Sequence, residues 1–144
     1  GFHCLARAQG AEVIQDADRT EVGTYTMRLT EHAQNDPLLG KLPPSFNAQM
    51  GHKDHVLAPP ENCLNLVESD LSANQAFRVS DKPIWAVQFH PELDMDTNKD
   101  RFLHYLEGYA GNMSNSEREE QLSAFRPSPE ASTVLKAFLD LVLQ

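Results

Sequence analysis

Three residues in the second half of the chain stand at a spacing that can move protons: His90, Pro91 and Glu92. An imidazole changes its charge near neutral pH without any help from its surroundings. A carboxylate two residues further on projects from the same side when the backbone is extended. Glu92 can then accept the proton-bearing nitrogen of His90, set its tautomer and stabilise its charged form, as a triad carboxylate orients its base. A plainer account uses the same residues: a histidine hydrogen-bonded at a strand end, with a solvated glutamate beyond it. Pro91 has no N–H and biases His90 towards extended geometry, so any strand entering this segment ends there.

The element that must deliver this pair is the run at 84–89, Ile-Trp-Ala-Val-Gln-Phe. Its nearly unbroken apolar, β-favouring character predicts an inner strand of a parallel sheet, covered on both faces by helices. Ligands of open α/β sheets gather at the carboxyl ends of such strands. Residues 1–9 read as a helix closed by Gly10. Residues 11–15, 22–30, 45–50, 63–69 and 76–79 read as strands, and 32–44, with Pro37, Gly40, Pro43 and Pro44, as a loop or single helical turn. After Glu92, residues 98–109 carry Phe102, Leu103, Tyr105, Leu106 and Tyr109 at helical spacing, closed by Gly111. Ser114 to Glu117 matches a capping box opening a helix to about Phe125. Ser128-Pro129 then opens a last amphipathic helix.

Composition narrows the function classes. A chain of 144 residues suits one domain with a proper core. Twelve basic against 21 acidic residues give a formal charge of −9, which argues against a nucleic-acid or anionic-membrane surface. Cys4 and Cys63 have no metal-like spacing and make no disulfide scaffold. His52 and His55 lie three apart with no third ligand at matching spacing, so a polar loop accounts for them better than zinc does. No apolar run approaches spanning length and no signal peptide is visible. A cytoplasmic location is the default expectation.

Gln88-Phe89-His90-Pro91-Glu92 resembles the His-Pro-Glu signature of class I glutamine amidotransferases. Leu5-Ala6 and Gly10-Ala11-Glu12-Val13 resemble the helix and strand start that follow the nucleophile in that family, and Gly51-His52-Lys53-Asp54 resembles the Ser-His-Gly-Asp segment of GMP synthase glutaminases. The resemblance covers roughly residues 1 to 110, in order. It implies a flavodoxin-like α/β fold with a mostly parallel sheet and helices on both faces, truncated at its N-terminus, with a helical extension over 111–144. It implies a Cys-His-Glu triad that hydrolyses glutamine to glutamate and ammonia and passes the ammonia to a synthase domain or subunit. His90 would be the base and Glu92 its anchor. Gly51 and His52 would help hold the amino-acid end of glutamine, and His3 would stand where the family has a glutamine that contacts substrate. No metal or organic cofactor is implied.

On this alignment Gly1 matches the glycine two residues after the family's cysteine, so the nucleophile is expected upstream and the 144 residues alone are expected to lack turnover. Cys4 is rejected as a substitute. An elbow nucleophile needs small flanking residues on a strained turn, whereas Cys4 sits between Phe2 and Ala6 in predicted helix and reads as a buried, inert thiol. Two other classes stay open: a non-catalytic regulatory or binding relative, favoured by His3 in place of glutamine, and a hydrolase of γ-glutamyl bonds with the same triad logic.

Overall fold

The computed structural model describes residues 1–105 and 113–143. Helix α1 (Phe2–Ala8) is followed by strands β1 (Val13–Gln15), β2 (Glu21–Leu29), β3 (Ser45–His52), β4 (Asp54–Val56), β5 (Cys63–Glu68), β6 (Ala76–Val79) and β7 (Trp85–Val87). Helices α2 (Met95–His104), α3 (Asn115–Ser123) and α4 (Pro129–Val142) complete the described elements. Short 3-10 turns at Glu31–Asn35 and Leu39–Lys41 fill the link between β2 and β3. Gly10, at φ +91°, takes the left-handed conformation expected where α1 stops. Ser114 and Glu117 cap α3 reciprocally, and Pro129 opens α4 behind Ser128. The helix expected over 98–109 begins earlier, at Met95, because Asp94 caps it by accepting from the Thr97 amide. Leu106, Tyr109, Gly111 and the boundary at 110/111 lie outside the described residues.

The class is α/β, but the sheet corrects the expectation of a mostly parallel, flavodoxin-like arrangement. Its order is β3-β2-β5-β6-β7, and every pairing is antiparallel; β1 and β4 form a second, two-stranded antiparallel sheet. The connections explain this. The links at 69–75 and 80–84 are far too short for a parallel crossover, which needs a dozen or more residues. β7 is likewise not an inner strand: it pairs with β6 alone and stands at one end of the order.

The sheet curls until its two ends meet. The His90 amide, just beyond β7, donates to the carbonyl of Gln49 on β3 at 2.9 Å, although β3 is the opposite end strand. Phe89 closes on Phe46 of β3, ring centroids 5.9 Å apart. Inside the curl lies the main core, where Phe46, Ala48 and Met50 of β3 alternate inwards with Met27, Leu66 and Ala76. Ala131 and Val134 of α4 and the 3-10 turns cover that core. The other face of β6 and β7 packs Phe77, Val79 and Ala86 against Phe2 and Ala6 of α1. Helices therefore do lie against both faces, which is how an end strand comes to be covered.

Gly40 shows how tightly the inner layer is built. A Cβ added there would stand 2.5 Å from the Ala33 carbonyl oxygen, a backbone atom that can yield only by moving its 3-10 turn. Gly40→Ala is expected to cost about 1–3 kcal/mol, read as a lower urea midpoint; an unchanged midpoint would show that the turn is free to shift.

Candidate active site

His90 and Glu92 meet as their spacing allows. The imidazole Nδ1 and Glu92 Oε1 are 2.7 Å apart, with the carboxylate half exposed at the rim. Burial pushes the Glu92 carboxyl up, but the hydrogen bonds from His90 and from its own backbone, with the charge of Arg101, outweigh it and hold the group below the ordinary glutamate range. The other ring nitrogen is engaged too: Arg101 Nη1 donates to His90 Nε2 at 3.0 Å. A guanidinium has no acceptor, so Nε2 presents its lone pair and Nδ1 carries the hydrogen directed at Glu92. That is the tautomer a proton acceptor at Nε2 requires.

Backbone pairing aims this assembly. The Gln88 amide donates to the Gln75 carbonyl at 2.8 Å, continuing the β6–β7 ladder, and the next bond goes across to Gln49. Helix α2 is fixed relative to β3 by Asn98, whose Nδ2 reaches Gln49 Oε1 at 3.0 Å; Arg101 stands one turn further along the helix and lines the same cleft as His90. That cleft, of about 470 Å³, brings together His90, Glu92 and Arg101 with Gly51, His52 and His3. All five residues singled out in the sequence therefore line one cavity. Neither cysteine does. Cys4 is exposed, correcting the expectation that it is buried: α1 turns Phe2 and Ala6 inwards, one turn apart, which leaves Cys4 on the outer side. Cys63 is packed among Phe2, Phe77 and Val79, and burial pushes its thiol pKa up, away from nucleophilic character.

Beneath the cleft lies a polar cluster that the sequence did not reveal. Glu21 is wholly buried, yet His52 Nε2 stands 2.8 Å from its Oε2, Ser69 Oγ donates to its Oε1 at 2.6 Å, and Gln75 Nε2 donates to its Oε2. Gln88 Nε2 donates to Gln75 Oε1 at 2.8 Å, while its Oε1 receives His3 Nε2. His52 is tied from its far side by Nδ1 to the Asp54 carbonyl, 2.9 Å away. One signal was present: Gln88 interrupts an otherwise apolar strand run, and a buried amide there has to find partners. Glu21, Gln75 and Arg101 gave none, since their contacts span long sequence distances.

The family model for class I glutamine amidotransferases matches residues 1–106. The chain belongs to that family. It is 36% identical over 93 residues to one subunit of the glutamine-hydrolysing GMP synthase of Methanocaldococcus jannaschii, a match covering 65% of this chain and 47% of that protein. Over 125 residues, 87% of this chain, it is 29% identical to 23% of the glutamine-hydrolysing GMP synthase of Thermosipho africanus. The chain thus spans about half the length, or less, of these curated relatives. A glutamine amidotransferase of Thermotoga maritima superposes over 100% of this chain and 60% of its own at a TM-score of 0.76 and 19% identity, a likeness of fold. A putative GMP synthase subunit of Thermoplasma acidophilum gives 0.60 over 84% of this chain and 57% of its own, at 26% identity. Among the described residues, no helix of this chain is long and apolar enough to cross a membrane.

The lowered Glu92 pKa fixes the sign of a pH effect. A carboxylate depressed on folding contributes stability above its unfolded value, about 4.3, and loses that contribution as pH falls through the folded value. Glu92→Gln is therefore expected to be less stable than the parent at pH 7, by a small margin because the group is half exposed, and the difference should close in acid. Urea midpoints at both pH values check this; a gap that persists in acid would assign the effect to packing.

Proposed function

We propose that this chain carries the base and its anchor for a glutaminase: His90 moves protons, Glu92 orients it, and the cleft holds glutamine. The 2.7 Å His90–Glu92 pair at the rim of a cleft of sufficient size supports this reading above any other observation. In this reading the attacking sulfur is neither Cys4 nor Cys63, since neither lines the cleft. Attack of that thiolate on the carboxamide carbon gives a tetrahedral intermediate, whose oxyanion backbone amides can hold. His90, having accepted the thiol proton at Nε2, returns it to the departing ammonia. It next takes a proton from the water that releases glutamate. Each of these transfers requires Arg101 to leave Nε2 first.

Gly51, His52 and His3 are the substrate-side residues of this reading. Curated relatives are described as glutamine-hydrolysing GMP synthases, or as one subunit of such a synthase, which supports ammonia delivery to a synthase domain or partner protein. In a protein that includes the sulfur, His90→Ala should lower kcat about 10⁶-fold and Glu92→Gln about 10⁴-fold, by analogy with triads dissected residue by residue. Cys4→Ser should leave turnover unchanged. Glutamate release measured at saturating glutamine decides the matter, and full turnover by the His90→Ala variant would refute the assignment.

A further inference from the structure

The buried cluster has a direction. An ionised carboxylate only accepts hydrogen bonds, so the Gln75 amide must turn its nitrogen to Glu21, as it does. Its oxygen is thereby turned to Gln88, whose nitrogen donates to it at 2.8 Å. The oxygen of Gln88 is then left facing His3 Nε2, which must carry a hydrogen to bond it. With Glu21 as a carboxylate this order lets each amide satisfy the next, whereas a reversed amide would set two oxygens or two N–H groups against each other in a buried site where the mismatch costs about 1–3 kcal/mol per group; Gln88 Nε2 also stands 3.1 Å from His52 Nε2. Ser69 reinforces the same sense by donating to Glu21 Oε1 while accepting from Gln75 Nε2 at 2.8 Å.

We propose that Glu21 sets the hydrogen-bond polarity of the cleft, acting through the amides of Gln75 and Gln88 to hold His3 as its Nε2–H tautomer with Nδ1 as the acceptor. Glu21, Gln75 and Gln88 are thus positioning residues, and His3 is the group they present. The consequence for ligand choice rests on the glutaminase reading above: a neutral imidazole accepting at Nδ1 favours a ligand N–H donor, such as a carboxamide or an ammonium, over a carboxylate. Glutamine is distinguished from glutamate by such a donor. Burial lowers the His3 pKa and so favours the neutral ring; the bond to Gln88 and the charge and backbone of Asp54 oppose this, and nearby His52 adds to it.

The tautomer is directly measurable without substrate or turnover, so this inference can fail while the glutaminase assignment stands. Long-range proton–nitrogen NMR on the ligand-free protein at neutral pH should show His3 with a hydrogen-bearing Nε2 and a bare Nδ1. Glu21→Gln allows the chain of amides to run in either sense, and a second set of His3 signals with a hydrogen-bearing Nδ1 should appear. Gln88→Leu, which severs the last link, should release the same mixture and serves if the buried variant does not fold. A hydrogen-bearing Nδ1 in the parent protein, or an unaltered single tautomer in Gln88→Leu, would overturn the proposal.

Discussion

The hydrogen bond from the His90 amide to the Gln49 carbonyl joins two strands that are furthest apart in sheet order, and the geometry of the cleft depends on it. A five-stranded antiparallel sheet left open would expose Met27, Phe46 and Leu66 on its concave face. Curling it buries them, and twisting strands favour that closure. The closing contact happens to be the residue that carries the candidate base, so packing the core and aiming the imidazole are one event. Phe89 and Phe46, pressed edge to face beside the junction, contribute apolar burial to the same closure.

Around this junction the polar groups fall into two layers of different character. At the rim, Glu92 and Arg101 bracket the His90 ring within reach of water, where a proton can come and go. Below it, Glu21, Ser69, Gln75 and Gln88 are shut away from solvent. A carboxylate buried without partners would cost several kcal/mol; here each oxygen of Glu21 receives a donor, and His52 Nε2 stands 2.8 Å from one of them. Gln49 plays a matching part on the far side, where its amide ties Thr24, Asn98, Arg126 and Ser128 together and so couples β2, α2 and the approach to α4.

Local features were legible in the sequence and distant ones were not. The His90–Glu92 contact follows from two residues of extended chain, and the Ser114–Glu117 box from three residues of helix, so spacing alone suffices for both. The direction of the strands did not follow from the apolar run at 84–89, because a strand buried by curling reads like one buried inside a parallel sheet. The five residues at 80–84 contained the correction, since no crossover fits in them. The exposure of Cys4 depends on which way a seven-residue helix faces, and only the pairing of Phe2 and Ala6 with Phe77 decides that. Glu21 meets its partners across 31 to 54 residues, a separation at which no local pattern survives.

Arg101 gives the resting site an unusual guard. By donating to His90 Nε2 it occupies the lone pair through which the proposed base would act. In the proposed reaction the imidazole becomes available only once something draws the guanidinium aside. An anionic group entering the cleft, such as the carboxylate of an amino acid, exerts that pull through charge alone. In the glutaminase reading, readiness for proton transfer is thereby linked to occupancy, and an empty cleft keeps the proposed base muzzled.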